Sequence, residues 1–360
     1  MNLTIDHIIL NGNKISAIEI SGLRFEKAAN PSAPEWEKEL YQFLEEWFSE
    51  PDFVVAQTSG STGEPQTIQL PKTTMIQSAL RTIEYFKLQS GNRILLSLPC
   101  RFIAGKMMVV RAIVGQMDLI TVDPSTDFSL LLNESFDFGA MVPNQVFKLL
   151  ESNSGKEMLE NIGNLLIGGS AIPAALERQI SQLKSRVVST YGMTETASHI
   201  AIRELSGENS SDIYNCLPGI SVSENENDCL QIHIPELAEP LHTNDIAEIL
   251  SATSFRILGR TDDAIISGGI KYFPATIERK LEHEITSRFV VSAIPDEKLG
   301  EKLALVIEGK PTDVEAIRQK TIHLLSSFEQ PKAIYFLEKF PETANGKVKR
   351  NEIKKAIRRF

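Results

Sequence analysis

Residues 94–122 read ILLSLPCRFIAGKMMVVRAIVGQMDLITV, and this stretch decides the class of fold. Two short apolar runs, Ile94–Leu98 and Leu119–Val122, are typical of buried strands. Between them, Ile103–Gly115 has the length and character of a helix. Strands that alternate with helices predict a parallel or mixed sheet that is covered on both faces. The stretch therefore predicts an α/β fold.

The same alternation continues on both sides of this stretch. Further strands are predicted at Phe53–Ala56, Gly139–Val142, Leu165–Ile167 and Val187–Val188, with helices at Thr73–Leu88, Gln145–Glu151 and Ala174–Leu183. From about Leu230 the apolar runs become short and closely spaced, which favours a small antiparallel or barrel-like β piece. These runs are Leu230–Ile234, Ile246–Leu250 and Phe255–Leu258. We therefore predict a large N-terminal domain of layered α/β sheets over residues 1–258.

A second, small α+β domain is predicted over residues 259–360, with the joint between the domains in Gly259–Asp263. Pro274 suits the first turn of a helix, because its missing N–H needs no partner there. Thr312 and Glu315 form a capping-box pattern at the start of the next helix. The remaining predicted elements are strands at Phe289–Ile294, Leu303–Ile307 and Ile334–Leu337, and a basic helix at Lys349–Phe360.

Composition limits the location and the partners of the chain. The net charge of −10 argues against a nucleic-acid partner, since phosphate binding needs a concentrated basic face. The start of the chain lacks a signal-peptide pattern, and no apolar run reaches the roughly 20 residues of a membrane span. The three cysteines lack metal-ligand spacing, so a reducing cytoplasm is the simplest location. The oligomeric state has no sequence signature, and a homodimer stays open.

A loop rich in glycine and hydroxyl residues follows the strand Phe53–Ala56. It contains Thr58, Ser59, Gly60, Ser61, Thr62 and Gly63. Such residues cannot pack a core, but their backbone N–H and hydroxyl groups can hold phosphate. The Gly-Lys-Ser/Thr ending of a Walker loop is absent. The alternative interpretation is a flexible surface loop.

A second motif, Tyr191-Gly192-Met193-Thr194-Glu195, follows the predicted strand at residues 186–189. A glycine turn at the end of a strand presents side chains to the crevice where open α/β sheets bind ligands. Thr194 is suited to bond a phosphate oxygen. Glu195 is suited to bind Mg²⁺, which prefers oxygen ligands. The alternative is a polar turn with a half-buried tyrosine.

Two more segments lie in the predicted small domain. Gly259–Asp263 is followed by Ser267-Gly268-Gly269-Ile270-Lys271, whose glycine pair allows close approach to a ligand or a tight hairpin. The alternative interpretation of Gly259–Asp263 is a solvated linker. Nearer the C-terminus, residues 345–350 read NGKVKR, a basic run for which an ordinary helix end is the alternative.

Taken together and in order, these segments resemble the motifs of the adenylate-forming superfamily of acyl-CoA synthetases, adenylation domains and luciferases. The resemblance covers about residues 50–360. Two further segments match in order: Asn244-Asp245 resembles the part that holds the ribose, and Gly168-Gly169-Ser170 the part that flanks the adenine. The resemblance implies an AMP-forming acid–thiol ligase that uses a small carboxylic acid, ATP, Mg²⁺ and CoA.

The resemblance also implies a role for individual residues. It makes Lys347, Thr194 and Glu195 catalytic, with Glu195 also binding the metal. ATP would be held by the Thr58–Gly63 loop and by Gly169, Ser170, Tyr191, Gly192, Asp245 and Arg260. CoA would contact Gly268, Gly269 and Lys271, and Asp262 would be the hinge of a mobile C-terminal domain.

The chain also departs from the usual pattern of the family. Members carry well over a hundred residues before the phosphate loop, and this chain has 57, which implies a shortened N-terminal subdomain. The usual Pro-Lys at the end of the loop is Pro65-Gln66 here. Lys72, a few residues further on, is a candidate to supply the missing charge.

Within the family the chain is most similar to the short bacterial o-succinylbenzoate–CoA ligases of menaquinone biosynthesis, through residues 70–72 and 98–112. Arg101, Lys106 and Arg111 lie there in an otherwise apolar stretch. A dianionic acid keeps one carboxylate free after the other is adenylated, and a cation would anchor it. The alternative is that the three are solvated or pair with acidic neighbours. Two other functions stay open: a ligase for another aryl or short-chain acid, and a degenerate adenylate binder without turnover.

Overall fold

The structure is a computed structural model of the 360-residue chain. It describes residues 6–57, 66–125, 128–282, 284–311, 313–342 and 348–358, without the side chain of Leu130. The chain divides into two compact units. The first comprises Met1–Ala171, Gln179–Ile220 and Ile234–Ala238, and the second Ile172–Arg178, Ser221–His233 and Glu239–Phe360. The domain boundary predicted between residues 258 and 259 marks the start of the part of the chain that is expected to move as a unit. It stays a prediction.

The first unit contains six helices that lie wholly within it among the described residues. They are α1 (Ala17–Ala29), α2 (Glu35–Phe48), α3 (Lys72–Phe86), α4 (Ile103–Gly115), α5 (Pro143–Leu149) and α6 (Asn153–Glu160). The next helix, α7 (Ala174–Ile180), has residues in both units. The strands of the first unit are β1 (His7–Leu10), β2 (Asn13–Ser16), β3 (Phe53–Gln57), β4 (Thr67–Pro71), β5 (Arg93–Leu96), β6 (Asp118–Thr121), β7 (Phe136–Met141), β8 (Ile162–Ile167), β9 (Arg186–Gly192), β10 (His199–Glu204) and β11 (Tyr214–Cys216).

A mixed sheet with the strand order β11–β10–β9–β8–β7–β5–β6–β1–β2 runs through the first unit. The pairs from β9 to β1 are parallel, and the pairs at both ends are antiparallel. Ile94, Leu95, Leu165 and Val187 on the parallel strands are fully buried. Strands covered on both faces need such continuous apolar runs. The predicted α/β class is confirmed. Strands β3 and β4 form a separate antiparallel hairpin.

Helix α4 is buried along almost its whole length, and its observed bounds match the predicted ones. Met107, Met108, Val109 and Val110 have no exposed surface. Full burial on every side of the helix explains why its sequence is apolar without a polar face. The same burial encloses the two charged residues of the helix, which are considered with the site.

The second unit contains nine strands and three complete helices among its described residues. The strands are β12 (Ser221–Glu224), β13 (Cys229–His233), β14 (Leu241–Ser251), β15 (Ser254–Arg260), β16 (Ile265–Ser267), β17 (Ile270–Tyr272), β18 (Phe289–Asp296), β19 (Gly300–Glu308) and β20 (Ala333–Leu337). The helices are α8 (Pro274–Leu281), α9 (Val314–Leu324) and α10 (Arg350–Ile357). Strands β12 to β15 pair antiparallel in chain order, as their spacing predicted.

A second sheet in this unit has the order β17–β16–β19–β18, with β20 parallel to β19. One of its apolar clusters includes Ile277 and Leu281 of α8, and another includes Ile353 and Ile357 of α10. Helices therefore pack against the sheet to form the predicted α+β arrangement.

Two predicted helix starts had different outcomes. Pro274 lies in the first turn of α8, as expected. The start predicted for α9 was wrong by one residue, because Asp313 is its N-cap. The Asp313 Oδ1 atom accepts hydrogen bonds from the N–H groups of Glu315 at 3.0 Å and Ala316 at 3.1 Å. A carboxylate in this position satisfies two of the free N–H groups of the first turn. Thr312 lies outside the described residues.

Among the described residues, none of the helices has the length and apolar character required to cross a bilayer.

Candidate active site

The sheet of the first unit brings two predicted nucleotide-binding segments together. Strands β8 and β9 are parallel neighbours, with Ile167 opposite Ser189. Gly168–Ser170 leaves the carboxyl end of β8, and Tyr191 and Gly192 end β9. The carboxyl ends of parallel strands meet at one edge, which is where open α/β sheets bind ligands. The adenine-flanking segment and the Tyr191–Glu195 motif are therefore adjacent.

The turn after β9 requires glycine at position 192. A Cβ atom on Gly192 would lie 2.5 Å from the carbonyl oxygen of Ser198 and 2.6 Å from His199 Cα. Both contacts are with main-chain atoms, which cannot move aside cheaply. The preceding Tyr191 is half-buried, and its ring meets the edge of Tyr214 at 5.8 Å between centroids. The motif thus places an aromatic ring at the end of the strand.

Thr194 and Glu195 lie on a short 3₁₀ helix, Thr194–Thr196, that the Thr196 side chain fastens. The Thr196 hydroxyl oxygen accepts a hydrogen bond from the N–H of Met193 at 3.0 Å and lies 2.5 Å from the carbonyl oxygen of Ser198. Ala197 follows with a φ of 61°, which residues other than glycine rarely adopt. Two side chains are therefore presented by a tightly constrained turn.

The Glu195 carboxylate fits the requirements of Mg²⁺. It is half-buried, and no described residue forms a hydrogen bond or an ion pair with it. The described part of the chain contains no group of three or more His, Cys, Asp or Glu residues that could hold a metal by itself. Mg²⁺ is commonly held by one or two carboxylates together with substrate phosphates. A carboxylate without a partner among the described residues, beside the Thr194 that is predicted to bond a phosphate, matches that pattern.

The proposed phosphate loop, with Thr58, Ser59, Gly60, Ser61, Thr62 and Gly63, lies outside the described residues. Its two flanking strands are described, and β3 pairs with β4 with Gln57 opposite Thr67. Lys72, the candidate for the missing charge, donates a hydrogen bond to the carbonyl oxygen of Ser49 instead. The structure thus shows that the strands on either side of the loop pair with each other, and that Lys72 is bonded to Ser49.

The three cations predicted to bind the acid have different surroundings. Arg101 is more than half exposed and forms an ion pair with Glu39 at 2.8 Å. Lys106 is buried and forms an ion pair with Glu46 at 3.1 Å. Pairing with acidic neighbours, the alternative interpretation, is therefore observed for these two residues.

Arg111 has no such carboxylate partner among the described residues. Its side chain is buried, and one terminal nitrogen donates to Ser198 Oγ at 2.6 Å and lies 3.4 Å from His199 Nδ1. Its Nε atom has no hydrogen-bond partner in the described part of the chain. Burial lowers the pKa of the Arg111 guanidinium to about 9. A buried cation without a counter-charge is costly, so this position favours an anionic ligand.

In the second unit, the predicted ribose-binding residues and the predicted hinge form one cluster. Arg260 donates to Asp245 Oδ1 at 3.0 Å and to Asp262 Oδ2 at 3.2 Å. Asn244 also donates to Asp262 Oδ2, at 3.3 Å. Burial opposes the charge of Arg260, but the Asp245 and Asp262 carboxylates outweigh it and raise the pKa of Arg260.

The predicted CoA-binding glycines form a tight hairpin turn between β16 and β17. Gly268 and Gly269 have φ values of 58° and 82°, which suit the two-residue turns that glycine favours. The N–H of Gly268 donates to the carbonyl oxygen of Leu299 at 3.0 Å. The Lys271 ammonium is exposed and lies 5.4 Å from the centre of the Phe273 ring. The tight-hairpin interpretation is therefore correct for this segment.

Lys347, the predicted catalytic lysine, lies outside the described residues. The residues on both sides of it are described, and Glu342 and Val348 form an antiparallel bridge. Arg350 then donates to both carboxylate oxygens of Glu278, each at 2.7 Å. Glu278 belongs to α8, so this two-pronged ion pair ties the chain just after Lys347 to that helix.

Sequence reasoning missed two groups of residues. Ser198 and His199 carried a signal, because they follow the Tyr191–Thr196 segment within three residues. Glu46 carried none, since its partner Lys106 is 60 residues further along the chain.

Three comparisons with known proteins support a single family. Residues 14–226 match the AMP-binding enzyme family. The chain is 34% identical to an acyl-CoA synthetase (AMP-forming)/AMP-acid ligase II-like protein from Dyadobacter fermentans, with a TM-score of 0.61, covering 92% of this chain and 97% of that one. It is 25% identical to a probable 2-succinylbenzoate–CoA ligase of Mycobacterium tuberculosis, covering 85% of this chain and 84% of that protein.

A third relative shares the fold at lower identity. The structure of O-succinylbenzoate coenzyme A synthetase from Bacillus subtilis, in complex with ATP and magnesium ion, has a TM-score of 0.71 and 20% identity. The match between the two covers 94% of this chain and 82% of the Bacillus subtilis chain. The family match spans more than half of the chain, and the motifs at the ends of β8 and β9 lie within it. The chain therefore belongs to the AMP-binding enzyme family.

Proposed function

We propose that this protein is an ATP-dependent acid–CoA ligase that acts on an acid with a second carboxylate, with o-succinylbenzoate as the first candidate. One observation carries the proposal. In the described part of the chain, the side chains of Thr194 and Glu195 have no bonded partner and the buried Arg111 has no counter-charge. The constrained segment that presents Thr194 and Glu195 continues directly into Ser198, which accepts a hydrogen bond from Arg111. Groups suited to a phosphate and a metal thus lie in one segment, and a group suited to a carboxylate is bonded to that segment.

In the first half-reaction, an oxygen of the substrate carboxylate attacks the α-phosphorus of ATP. The bond to the β-phosphate breaks, and pyrophosphate leaves. Thr194 donates a hydrogen bond to a phosphate oxygen, and Glu195 would hold Mg²⁺, which would neutralise phosphate charge. Lys347 bridges the carboxylate and the α-phosphate. Catalysis then depends on positioning and charge stabilisation rather than on a covalent intermediate with the protein.

The remaining ATP contacts follow from the family motifs. The Thr58–Gly63 loop holds the β- and γ-phosphates, and Gly169, Ser170 and Gly192 surround the adenine on which Tyr191 packs. Asp245 and Arg260 hold the ribose. The similarity to the 2-succinylbenzoate–CoA ligase of Mycobacterium tuberculosis and to the O-succinylbenzoate coenzyme A synthetase of Bacillus subtilis supports the choice of acid and cosubstrates.

In the second half-reaction, the thiol sulfur of CoA attacks the acyl carbonyl carbon. The bond between that carbon and the phosphate oxygen breaks, AMP leaves, and the thiol proton is released. Gly268, Gly269 and Lys271 line the path of CoA in this proposal. The domain of residues 259–360 reorients between the two steps about Asp262, because a few joint residues can absorb a large backbone change.

Arg111 is the residue that we assign to the free carboxylate of the acid. Arg101 and Lys106 already have carboxylate partners, so neither has a free charge to offer in this arrangement. A substrate carboxylate would supply the missing counter-charge of Arg111 through charge-assisted hydrogen bonds. An aryl or short-chain acid with a single carboxylate would leave Arg111 uncompensated.

A cytoplasmic location completes the proposal. Cys100, Cys216 and Cys229 are free thiols, which a reducing compartment maintains. A role in menaquinone biosynthesis follows if o-succinylbenzoate is the substrate.

The test is pyrophosphate release with Mg·ATP for a panel of acids, with and without CoA. The panel holds o-succinylbenzoate, benzoate, a medium-chain fatty acid and several amino acids. Release with o-succinylbenzoate, followed by a thioester when CoA is added, is the expected result. Release with a different acid would keep the ligase and discard the pathway. No release with any acid, alongside measurable ATP binding, would favour a degenerate adenylate binder.

An Arg111→Gln variant tests the acid site separately. We expect the KM for o-succinylbenzoate to rise by roughly 10- to 100-fold, the size typical of one lost charge-assisted bond, while the KM for ATP stays unchanged. Arg93→Gln, which breaks an exposed ion pair with Glu134, is the matched control. Equal loss for o-succinylbenzoate and benzoate would contradict the assignment.

A further inference from the structure

Strand β3 is held along its outer side by a pair of side chains instead of a neighbouring strand. The N–H of Val55 donates to Glu46 Oε1 at 2.8 Å, and the carbonyl oxygen of Val55 accepts from Lys106 Nζ at 2.9 Å. Lys106 Nζ also lies 3.1 Å from the other oxygen of Glu46. Both main-chain groups of Val55 are therefore bonded to one ion pair.

These two main-chain groups point away from the partner strand. Val55 lies opposite Gln69 in the β3–β4 hairpin. In an antiparallel pair, residues alternate between bonding the partner strand and pointing their N–H and C=O groups outward. Val55 is one of the residues whose N–H and C=O groups point outward. Without the ion pair, these two groups would have no partner in this arrangement. The pair does for β3 at this residue what a third strand would do.

The ion pair is built from two helices that are parts of the core of the first unit. Glu46 lies on α2, and Lys106 lies on the buried helix α4. The Lys106 ammonium also lies 4.9 Å from the centre of the Phe43 ring. A buried lysine with a carboxylate, a carbonyl and an aromatic ring as partners has one favourable orientation. The anchor point on β3 is thus fixed to the core.

The hairpin needs such an anchor. A two-stranded hairpin alone is marginally stable, and β3 and β4 pair only with each other among the described strands. Val55 is three residues before Thr58, where the loop assigned to the ATP phosphates begins. Displacement of a binding group by about 1 Å can cost a hundredfold in rate. We therefore expect a displaced β3 to weaken phosphate binding by the proposed loop.

We propose that Lys106 and Glu46 are positioning residues for the phosphate-binding loop. They act through Val55 and do not touch a substrate. This role differs from the expectation that Lys106 binds the free carboxylate of the acid. The inference rests on the proposed function in one respect, which is the assignment of residues 58–65 to the phosphates of ATP.

The experiment measures the binding of α,β-methylene ATP with Mg²⁺ by calorimetry, without any acid. This analogue cannot be cleaved between its α- and β-phosphates, so the result is independent of which acid is the substrate. Lys106→Met is expected to raise the Kd about 10-fold, the change that corresponds to about 1.4 kcal/mol. Glu46→Gln, which keeps an acceptor for the Val55 N–H, is expected to have a smaller effect. The double variant should resemble Lys106→Met alone, because both changes remove the same interaction.

Lys27→Met is the matched control. Lys27 forms an ion pair with Glu37 of α2 at 2.7 Å and lies 5.9 Å from the centre of the Tyr41 ring, so it copies the chemistry of Lys106. Among the described residues, Lys27 forms no hydrogen bond or ion pair with β3. The Kd of the Lys27→Met variant for the ATP analogue should equal that of the unaltered protein. Lys106→Arg, which keeps the charge and the donors, should recover most of the affinity.

Three results would overturn the inference. One is an unchanged Kd in Lys106→Met. Another is a raised KM for the acid with unchanged ATP binding, which would make Lys106 an acid-binding residue. The third is an equal loss of ATP binding and of melting temperature in Lys106→Met and Lys27→Met, which would indicate a general effect on the fold.

The anchor can also be tested if the unaltered protein fails to bind the ATP analogue, an outcome that would count against the proposed function itself. Amide hydrogen exchange at Val55 reports the hydrogen bond to Glu46 directly. We expect exchange at Val55 to accelerate in Lys106→Met while exchange at Val109 in α4 stays slow. Unchanged exchange at Val55 would reject the anchor whatever the ligand of the loop.

Discussion

Arg260 donates a hydrogen bond to Asp245 over 3.0 Å, and the two residues lie directly opposite each other on β15 and β14. The same guanidinium reaches Asp262 at 3.2 Å. The residues proposed to hold the ribose are therefore bonded to the residue proposed as the hinge. A rotation at Asp262 that carries its carboxylate away from Arg260 would break this second bond, so the proposed ribose contact and the proposed domain movement would be coupled.

The hinge can be tested by restricting the backbone at Asp262. Asp262→Pro should slow thioester formation about 10-fold or more while adenylate formation changes less, because proline fixes φ and limits reorientation. Single-turnover rates of the two half-reactions measure this. Asp262→Ala, which removes the carboxylate and leaves the backbone free, separates the loss of charge from the loss of movement. Parallel losses in both half-reactions for Asp262→Pro would argue against a hinge here.

The ion pair between Arg350 and Glu278 should matter for the step that uses Lys347. Lys347→Ala should abolish adenylation and spare the reaction of CoA with a supplied acyl-adenylate. Arg350→Gln should slow adenylation about 10-fold and likewise spare the reaction of CoA with a supplied acyl-adenylate. The reason is that the change loosens the chain three residues after Lys347. Lys354→Gln is the control, since Lys354 lies on the same helix as Arg350 and the change breaks its ion pair with Glu301 of β19. Equal effects on both half-reactions would assign Arg350 to folding alone.

His199 should make the free energy of unfolding depend on pH. Burial, and then the Arg111 charge, lower the pKa of His199 well below 6.5 in the folded chain. The unfolded chain therefore binds the extra proton first as pH falls, and the folded state loses stability below about pH 6.5. The expected slope is about 1.4 kcal/mol per pH unit between the two pKa values. Urea unfolding of the protein and of His199→Gln at pH 5 to 7.5 checks this, and the same slope in both would refute it.

Two glycines should respond in opposite ways to alanine. At Gly192 a Cβ atom would meet main-chain atoms at 2.5 and 2.6 Å, so Gly192→Ala should destabilise the protein by about 1–3 kcal/mol. At Gly22 in α1 a Cβ atom would meet nothing within 4 Å. Gly22→Ala should stabilise the protein by about 0.5–1 kcal/mol, because alanine loses less entropy in a helix. Thermal unfolding measures both, and equal shifts would show that crowding at Gly192 is relieved.

Local patterns in the sequence were sufficient for much of the fold. The bounds of α4 were predicted correctly, since a long apolar run between Pro99 and Gly115 leaves little choice of structure. Strands β5 to β9 were identified for the same reason, whereas β1, which pairs parallel to β6, was not predicted. Helix α2 was not predicted, although Leu40, Phe43, Leu44 and Trp47 recur at helical spacing and are buried. That element was predictable from the sequence.

The partners of the charged residues were less accessible to sequence reasoning. Lys106 meets Glu46 across 60 residues of chain, and Arg111 meets Ser198 across 87. Nothing in the local sequence distinguishes a lysine that binds a substrate from one that binds a strand. Only the packing of α2, α4 and β3 decides between them. The residues around Lys347 and the phosphate loop were located by motif, and their roles stay predictions.

The bonded edge at Val55 has a consequence for the association of one chain with another. A strand with free N–H and C=O groups on its outer side is a template on which the strand of a second molecule can add. At Val55 these groups are already used by Glu46 and Lys106, and a charged pair stands where the incoming backbone would have to lie. The pair that fixes this hairpin therefore also blocks the first step of aggregation through it.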